Sequence, residues 1–220
     1  MELFEESLGL VDHIYQIRKS FMPEDDEGSM TDHSPLEKAL CDLVKDKQVA
    51  VKVLERMVHD SRFSREQSVN LFNNEIVIWR EPDGAFSLRM FIWSPEADCY
   101  IHDHNAYGMI ISWWGKVSVE SYLRVNKDAL EEDAVLQLKS KQILEVCQTS
   151  LVKPYTEDGI HRVCCGEGEI ALSLSVYGRR ILGREYILRY DLEKKKAYRV
   201  YHRSWRRKAW AQKMLEKISA

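Results

Sequence analysis

His102 and His104 stand one residue apart in the run Ile101-His102-Asp103-His104-Asn105-Ala106-Tyr107-Gly108, in a chain that holds seven histidines among 220 residues. On an extended strand, residues i and i+2 point to the same side. Two imidazoles so placed offer two nitrogens to one divalent ion, while Asp103 between them turns the other way. A third imidazole, His161, opens a later strand-like segment, His161-Arg162-Val163-Cys164-Cys165. If that segment lies beside the first in an antiparallel barrel, it supplies a third nitrogen. The other histidines are placed less usefully: His13, His33 and His59 fall in a helical region and His202 lies near the end of the chain. A His-x-His pair alone is a weak signal, so the metal reading rests on its context.

The elements that must position these residues divide the chain in two. Residues 2–20 carry Leu3, Leu8, Val11, Ile14, Tyr15 and Ile17 at the spacing of an amphipathic helix. Residues 21–35 are polar, contain Pro and Gly, and read as a loop. Ser34-Pro35, with Glu37 three residues past the serine, predicts a second helix running from a Ser34 cap to about Val58. A short helix is expected over 64–74, capped by Ser64. After Asn74 the pattern changes to short β-branched and aromatic runs: 75–79, 86–93, 99–102, 108–115, 117–125, 141–147, 161–165, 169–177, 185–190 and 196–201. About ten strands without intervening helices predict an all-β barrel or jelly roll. Residues 204–219 form a basic amphipathic stretch, read as a terminal helix with a solvated face. One domain is expected over 1–220: a helical N-terminal layer (1–74), a β-barrel (75–201) and a C-terminal helix (202–220).

Composition sets outer limits. The formal net charge is −3, with 45% hydrophobic and 30% charged residues. That is a globular profile with no global pull toward nucleic acid or a membrane surface. No apolar run approaches the ~18 residues of a membrane span, and the N-terminus lacks a signal-peptide core. Cys41, Cys99, Cys147, Cys164 and Cys165 are odd in number, have no Cys-x-x-Cys spacing and end in an adjacent pair that is a poor disulfide candidate. They read as reduced thiols of a cytoplasmic protein. Nothing in the sequence sets an oligomeric state.

The run from His102 to Gly115 resembles the first motif of the cupins, with Gly108 where that motif carries glutamate, and His161 matches the histidine of the second motif. A cupin with three histidines and no glutamate resembles the thiol dioxygenases, the cysteine dioxygenase-like family, whose local signatures are similar to Tyr100–Gly108 and Gly159–Val163. The resemblance covers residues 75–190 and agrees with helices ahead of the barrel. It implies a cupin double-stranded β-helix, Fe(II) held by His102, His104 and His161, and conversion of a small thiol of the cysteine or 3-mercaptopropionate type, with O2, to a sulfinate. The implied partners are therefore the thiol and O2, with no organic cofactor. Arg80 aligns with the arginine that grips the substrate carboxylate, and Arg89 competes for that role. The family's Ser-x-His-x-Tyr segment corresponds to Ser173, Ser175 and Tyr177. Tyr177 thus matches the active-site tyrosine and Ser173 a pocket serine, while Ser175 replaces the histidine. Tyr107, close to His104 in sequence, is expected to line the pocket. Gly108 stands where vertebrate cysteine dioxygenases carry the cysteine joined to this tyrosine, so no such crosslink is expected. Two alternatives remain: a cupin metalloenzyme acting on a non-thiol substrate, and a non-catalytic metal-binding cupin module.

Overall fold

A computed structural model describes residues 9–20, 32–68, 70–97, 99–154, 159–166, 169–180, 184–201, 211 and 214. The expected loop over 21–31 and almost all of the expected C-terminal helix lie outside the described residues, as does the start of the first helix.

Among the described residues, four helices precede the strands. Helix α1 (Val11–Ser20) buries Ile14 and Ile17 and places Arg18 and Lys19 in its last turn, where cations favour the helix dipole. Helix α2 (Ser34–Lys45) buries Leu36, Ala39, Leu40, Leu43 and Val44, one stripe at i, i+3, i+4 and i+7. The expected Ser34 cap is not formed. Ser34 is the first helical residue, and its backbone N–H donates to Asp32 Oδ1 at 2.9 Å. The helix expected to run on to Val58 stops at Asp46, whose extended ψ of 87° breaks it. The Asp46 carboxylate then accepts from Gln48 N at 3.0 Å and starts α3 (Lys47–His59). Asp60 repeats the device, accepting from Arg62 N and Phe63 N, both at 3.0 Å, to begin α4 (Ser61–Gln67). The last helix is therefore earlier and shorter than the Ser64-capped one expected. In both cases an aspartate won because its carboxylate satisfies orphan helix N–H groups while staying out of the helix.

Eleven strands follow: β1 (Glu75–Arg80), β2 (Phe86–Trp93), β3 (Ile101–His102), β4 (Gly108–Trp114), β5 (Val117–Arg124), β6 (Leu136–Leu144), β7 (Thr149–Val152), β8 (Ile160–Cys165), β9 (Ala171–Gly178), β10 (Tyr186–Asp191) and β11 (Lys196–Tyr201). They form two antiparallel sheets, ordered β1-β2-β9-β4-β7 and β11-β10-β3-β8-β5-β6. Strand β6 begins earlier than expected because seven of its nine residues are exposed, so no apolar alternation marks it. Strand β7, only four residues long, was not expected at all.

Alternation in the first sheet assigns two jobs. Leu88 and Met90 of β2, Met109 and Ile111 of β4, and Leu172, Leu174 and Val176 of β9 pack with Leu36, Leu40, Val53 and Phe63 of the helices. Each such side chain contributes about 1.5–3 kcal/mol by leaving water. The opposite parity faces the second sheet, where Phe91, Trp93, Ile110, Val117, Val119 and Val163 form the inter-sheet core.

Cys41 of α2 and Cys147, in the β6–β7 turn, form a disulfide with a Cα–Cα distance of 4.9 Å. This corrects the expectation of five reduced thiols. Helix α2 lies against β4, and that tertiary contact, invisible in Cys spacing, brings two residues 106 apart in sequence together.

Candidate metal centre

Strands β3 and β8 pair through a single register match, His102 opposite His161. The chain leaves β3 through Asp103 and returns His104 to the same place. All three histidines are buried, and one nitrogen from each lies within 4.8 Å of the others. Ring centroids are 4.7–4.8 Å apart. His104 Nε2 and His161 Nε2 stand 2.9 Å apart. Two nitrogens bound at about 2.1 Å to one ion, at right angles, stand about 3.0 Å from each other. His102 Nδ1 lies 2.9 Å from the Tyr100 carbonyl oxygen. That partner holds the proton on Nδ1 and leaves Nε2 free to ligate.

Electrostatics agree with a cation site. Burial pushes the His102 pKa down to about 4. Burial first, then the neighbouring imidazoles, holds His104 well below its ordinary value, and burial followed by His102 does the same for His161. The three rings are neutral at pH 7, the form that binds a metal. Among the described residues the cluster is three histidines with no carboxylate, a donor set that suits Zn, Fe, Ni or Cu ions.

Asp103 is the tie between the ligands. It is buried, accepts from Leu188 N at 2.6 Å and Tyr190 OH at 3.3 Å, and pairs with Arg184 Nη2 at 2.7 Å. Its own N–H donates to the Leu188 carbonyl at 3.0 Å. These bonds clamp the His-Asp-His segment to β10. The sequence placed Asp103 on the side away from the metal but offered no signal for its partners, which lie more than 80 residues on.

Beside His104 opens a cavity of about 570 Å3, within the range of small-molecule sites. Its lining includes His104, Tyr177, Arg80, Arg89, Arg180 and Phe72. Tyr177 stacks on His104 at 5.3 Å with an interplanar angle of 19°. Burial raises its pKa to about 12, so it is a neutral phenol able to donate. Arg89 lies 5.4 Å from the centre of the Tyr177 ring, and its Nη1 pairs with Glu75 Oε1 at 2.5 Å. The other Glu75 oxygen accepts from Leu71 N and Phe72 N at 3.1 and 3.3 Å. This places the Phe72 ring 4.9 Å from His102. Glu75 was missed by sequence reasoning, since a strand's first residue carries no mark of an inward charge.

Arg80 is exposed at the end of β1 and lines the cavity. Partial burial and the nearby guanidiniums of Arg89 and Arg180 hold its pKa below the ordinary value. Ser175 and Tyr177 share the inward parity of β9, and Ser175 draws the Tyr177 pKa down against the larger effect of burial. Ser173 shares that parity but lies deeper: its hydroxyl accepts from Trp93 Nε1 at 2.9 Å, and it does not line the cavity. Tyr107 is not brought there either. It lines a separate cavity of about 90 Å3 with His33, Leu36 and Lys153, because it shares the parity of Met109 and Ile111, which face the helices. Gly108 permits close contact with the tyrosine, since a Cβ there would lie 2.4 Å from the Val176 carbonyl oxygen and 2.7 Å from Tyr177 Cδ1.

No family model matches the chain, and no curated protein matches it in sequence. Solved structures that overlap it in part include proteins described as cupins. A cupin-like protein from Thermotoga maritima is 12% identical over 48% of this chain and 67% of its own, with a TM-score of 0.35. A cupin 2 conserved barrel domain protein from Rhodopseudomonas palustris is 11% identical over 57% and 73%, at 0.38. Hydroquinone 1,2-dioxygenase from Sphingomonas sp. TTNP3 is 11% identical over 50% and 68%, at 0.36. Among the described residues, no helix is long and apolar enough to cross a membrane.

Proposed function

We propose that this chain is a cupin of the double-stranded β-helix type and a mononuclear non-haem iron thiol dioxygenase, which adds both atoms of O2 to the sulfur of a small thiolate and yields a sulfinate. The observation that carries this reading is a buried ligand set of three neutral histidines, with no carboxylate in the cluster, opening on an arginine-lined cavity. Three neutral donors would leave the charge of a divalent ion uncompensated, and Fe(II) held by them would supply the redox chemistry that joins a thiolate to O2. The similarity of residues 100–108 and 159–163 to thiol dioxygenase signatures supports the same choice.

The chain's own groups then divide the work. His102, His104 and His161 hold the ion, and Asp103 fixes the segment that bears two of them. Arg89 is neutralised by Glu75, so Arg80, with Arg180 beside it, is the arginine available to a substrate carboxylate. A guanidinium holds a carboxylate by two parallel charged hydrogen bonds. Tyr177, kept protonated, donates a hydrogen bond toward oxygen or substrate. The test is anaerobic loading with Fe(II), then oxygen uptake and mass spectrometry with a panel of thiols that do and do not bear a carboxylate. One sulfinate per O2 consumed, favouring carboxylate-bearing thiols, is expected. A loaded protein that consumes no oxygen and forms no sulfinate with any thiol overturns the proposal.

A further inference from the structure

The register that joins His102 to His161 also sets two thiols against each other. In an antiparallel pair, stepping back along one strand is matched by stepping forward along the other. Three residues before His102 stands Cys99, and three residues after His161 stands Cys164. Cys99 is also the largest influence on the Cys164 thiol, ahead of burial. Neither is in a disulfide, and both are half-buried. Neither belongs to the histidine cluster. Residues 99 and 100 lie just ahead of the two-residue strand β3. Cys165 does not compete well. It has the opposite parity on β8, and a bridge to the adjacent Cys164 is strained.

We propose that Cys99 and Cys164 are a peroxide-oxidisable dithiol, and that their disulfide pins together the two chain segments that carry His102 and His161. The Cys99 hydrogen bond, then burial, raises the Cys164 pKa, which makes Cys99 the attacking sulfur and Cys164 the resolving one. The Cys99 sulfur attacks one oxygen of hydrogen peroxide. The O–O bond breaks, a sulfenic acid forms and water leaves. The Cys164 sulfur then attacks the Cys99 sulfur, the S–S bond forms, the S–O bond breaks, and the second water leaves with the remaining thiol proton. Two thiols lose two electrons and one peroxide is reduced to two waters. The site does not depend on which substrate the histidine centre serves.

The full chain loaded with redox-inert Zn(II) is treated with hydrogen peroxide, alkylated, digested without reductant and mapped by mass spectrometry. The expected product joins the peptide containing Cys99 to the peptide containing Cys164 and Cys165, is reversed by dithiothreitol, persists in Cys165→Ser and disappears in Cys164→Ser. Transfer of Zn(II) from the oxidised protein to a chelator is expected to slow about tenfold, the scale on which groups supporting metal ligands act. Cys99 recovered as free thiol or as sulfinic acid, or a bridge that maps to Cys165, overturns the dithiol. A disulfide that forms with no change in Zn(II) transfer overturns the coupling to the histidines. Wild-type mapping alone decides the first point, so the result does not hang on a variant's folding.

Discussion

Asp103 offers the sharpest test of how the centre is held. Its carboxylate is buried, pairs with Arg184 at 2.7 Å and accepts from Leu188 N at 2.6 Å. Asp103→Ala leaves the guanidinium of Arg184, whose side chain is itself only 11% exposed, facing the hole. Breaking one side of a buried pair costs about 3–5 kcal/mol. Arg184→Met should cost less, near 2 kcal/mol, because a stranded carboxylate can take up a proton and a guanidinium cannot lose one. Burial already pushes the Asp103 pKa up, against the pull of Arg184. The double variant Asp103→Ala/Arg184→Met strands neither charge and should cost well below the sum of the singles, a coupling of about 2–3 kcal/mol. Urea unfolding of the metal-free proteins at pH 7.5, with the slope unchanged across the set, measures all four corners. In parallel, Asp103→Ala should weaken Zn(II) binding about 10–100-fold, since the clamp that orients His102 and His104 is gone. Additive single effects, or an Asp103→Ala loss below about 1 kcal/mol, refute the reasoning that this pair is a clamp.

Other outcomes follow from the same geometry. Folded His102 titrates at about 4 and an unfolded histidine near 6.5, so the unfolded chain takes up protons that the folded metal-free chain refuses. Stability is therefore full above about pH 6.5 and falls below it, by about 2 kcal/mol from His102 alone at pH 5, measurable by urea midpoints between pH 7.5 and 5. Reducing Cys41–Cys147, or Cys41→Ser, removes a bridge that closes a long loop; a loss of about 2–5 kcal/mol is expected in equilibrium unfolding with and without reductant. Gly108→Ala drives a Cβ into the Val176 carbonyl and the Tyr177 ring, and should cost at least ~1–3 kcal/mol in urea unfolding as an overpacked site. Arg80→Ala should raise the KM for a carboxylate-bearing thiol about 10–100-fold with a smaller change in kcat, while a thiol lacking the carboxylate is unaffected, as steady-state kinetics will show.

The histidine centre was legible because period-2 geometry is local: His102 and His104 are two residues apart, and His161 opens a strand in its own right. The inward face of Ser173, Ser175 and Tyr177 was legible for the same reason. Parity, however, does not report depth. Ser173 faces inward yet lies under Trp93, and Tyr107 sits beside the ligands in sequence but on the helix-facing parity of β4. The helix breaks at Asp46 and Asp60 were written in the sequence as capping aspartates, but helix-forming neighbours on both sides masked them. Strand β6 had no apolar alternation to read because both its faces are exposed. The Cys41–Cys147 bridge and the Glu75–Arg89 pair depend on tertiary neighbours, for which no local pattern exists.

One strand, β9, ties these levels together. Its residues Leu172, Leu174 and Val176 bury against the helices, and the residues between them, Ser173, Ser175 and Tyr177, face the barrel. Tyr177 is therefore positioned from behind by helix packing and from the front by His104 and Arg89. The chemistry of the interior follows from the charges that remain. The imidazoles are neutral, the phenol is neutral, and Glu75 offsets Arg89. Arg80 and Arg180 face the cavity, and burial first, then the field of Arg89, lowers the pKa of both. Positive groups so crowded, beside three neutral imidazoles, favour an anionic guest, which is the property the proposed carboxylate-bearing thiolate would use.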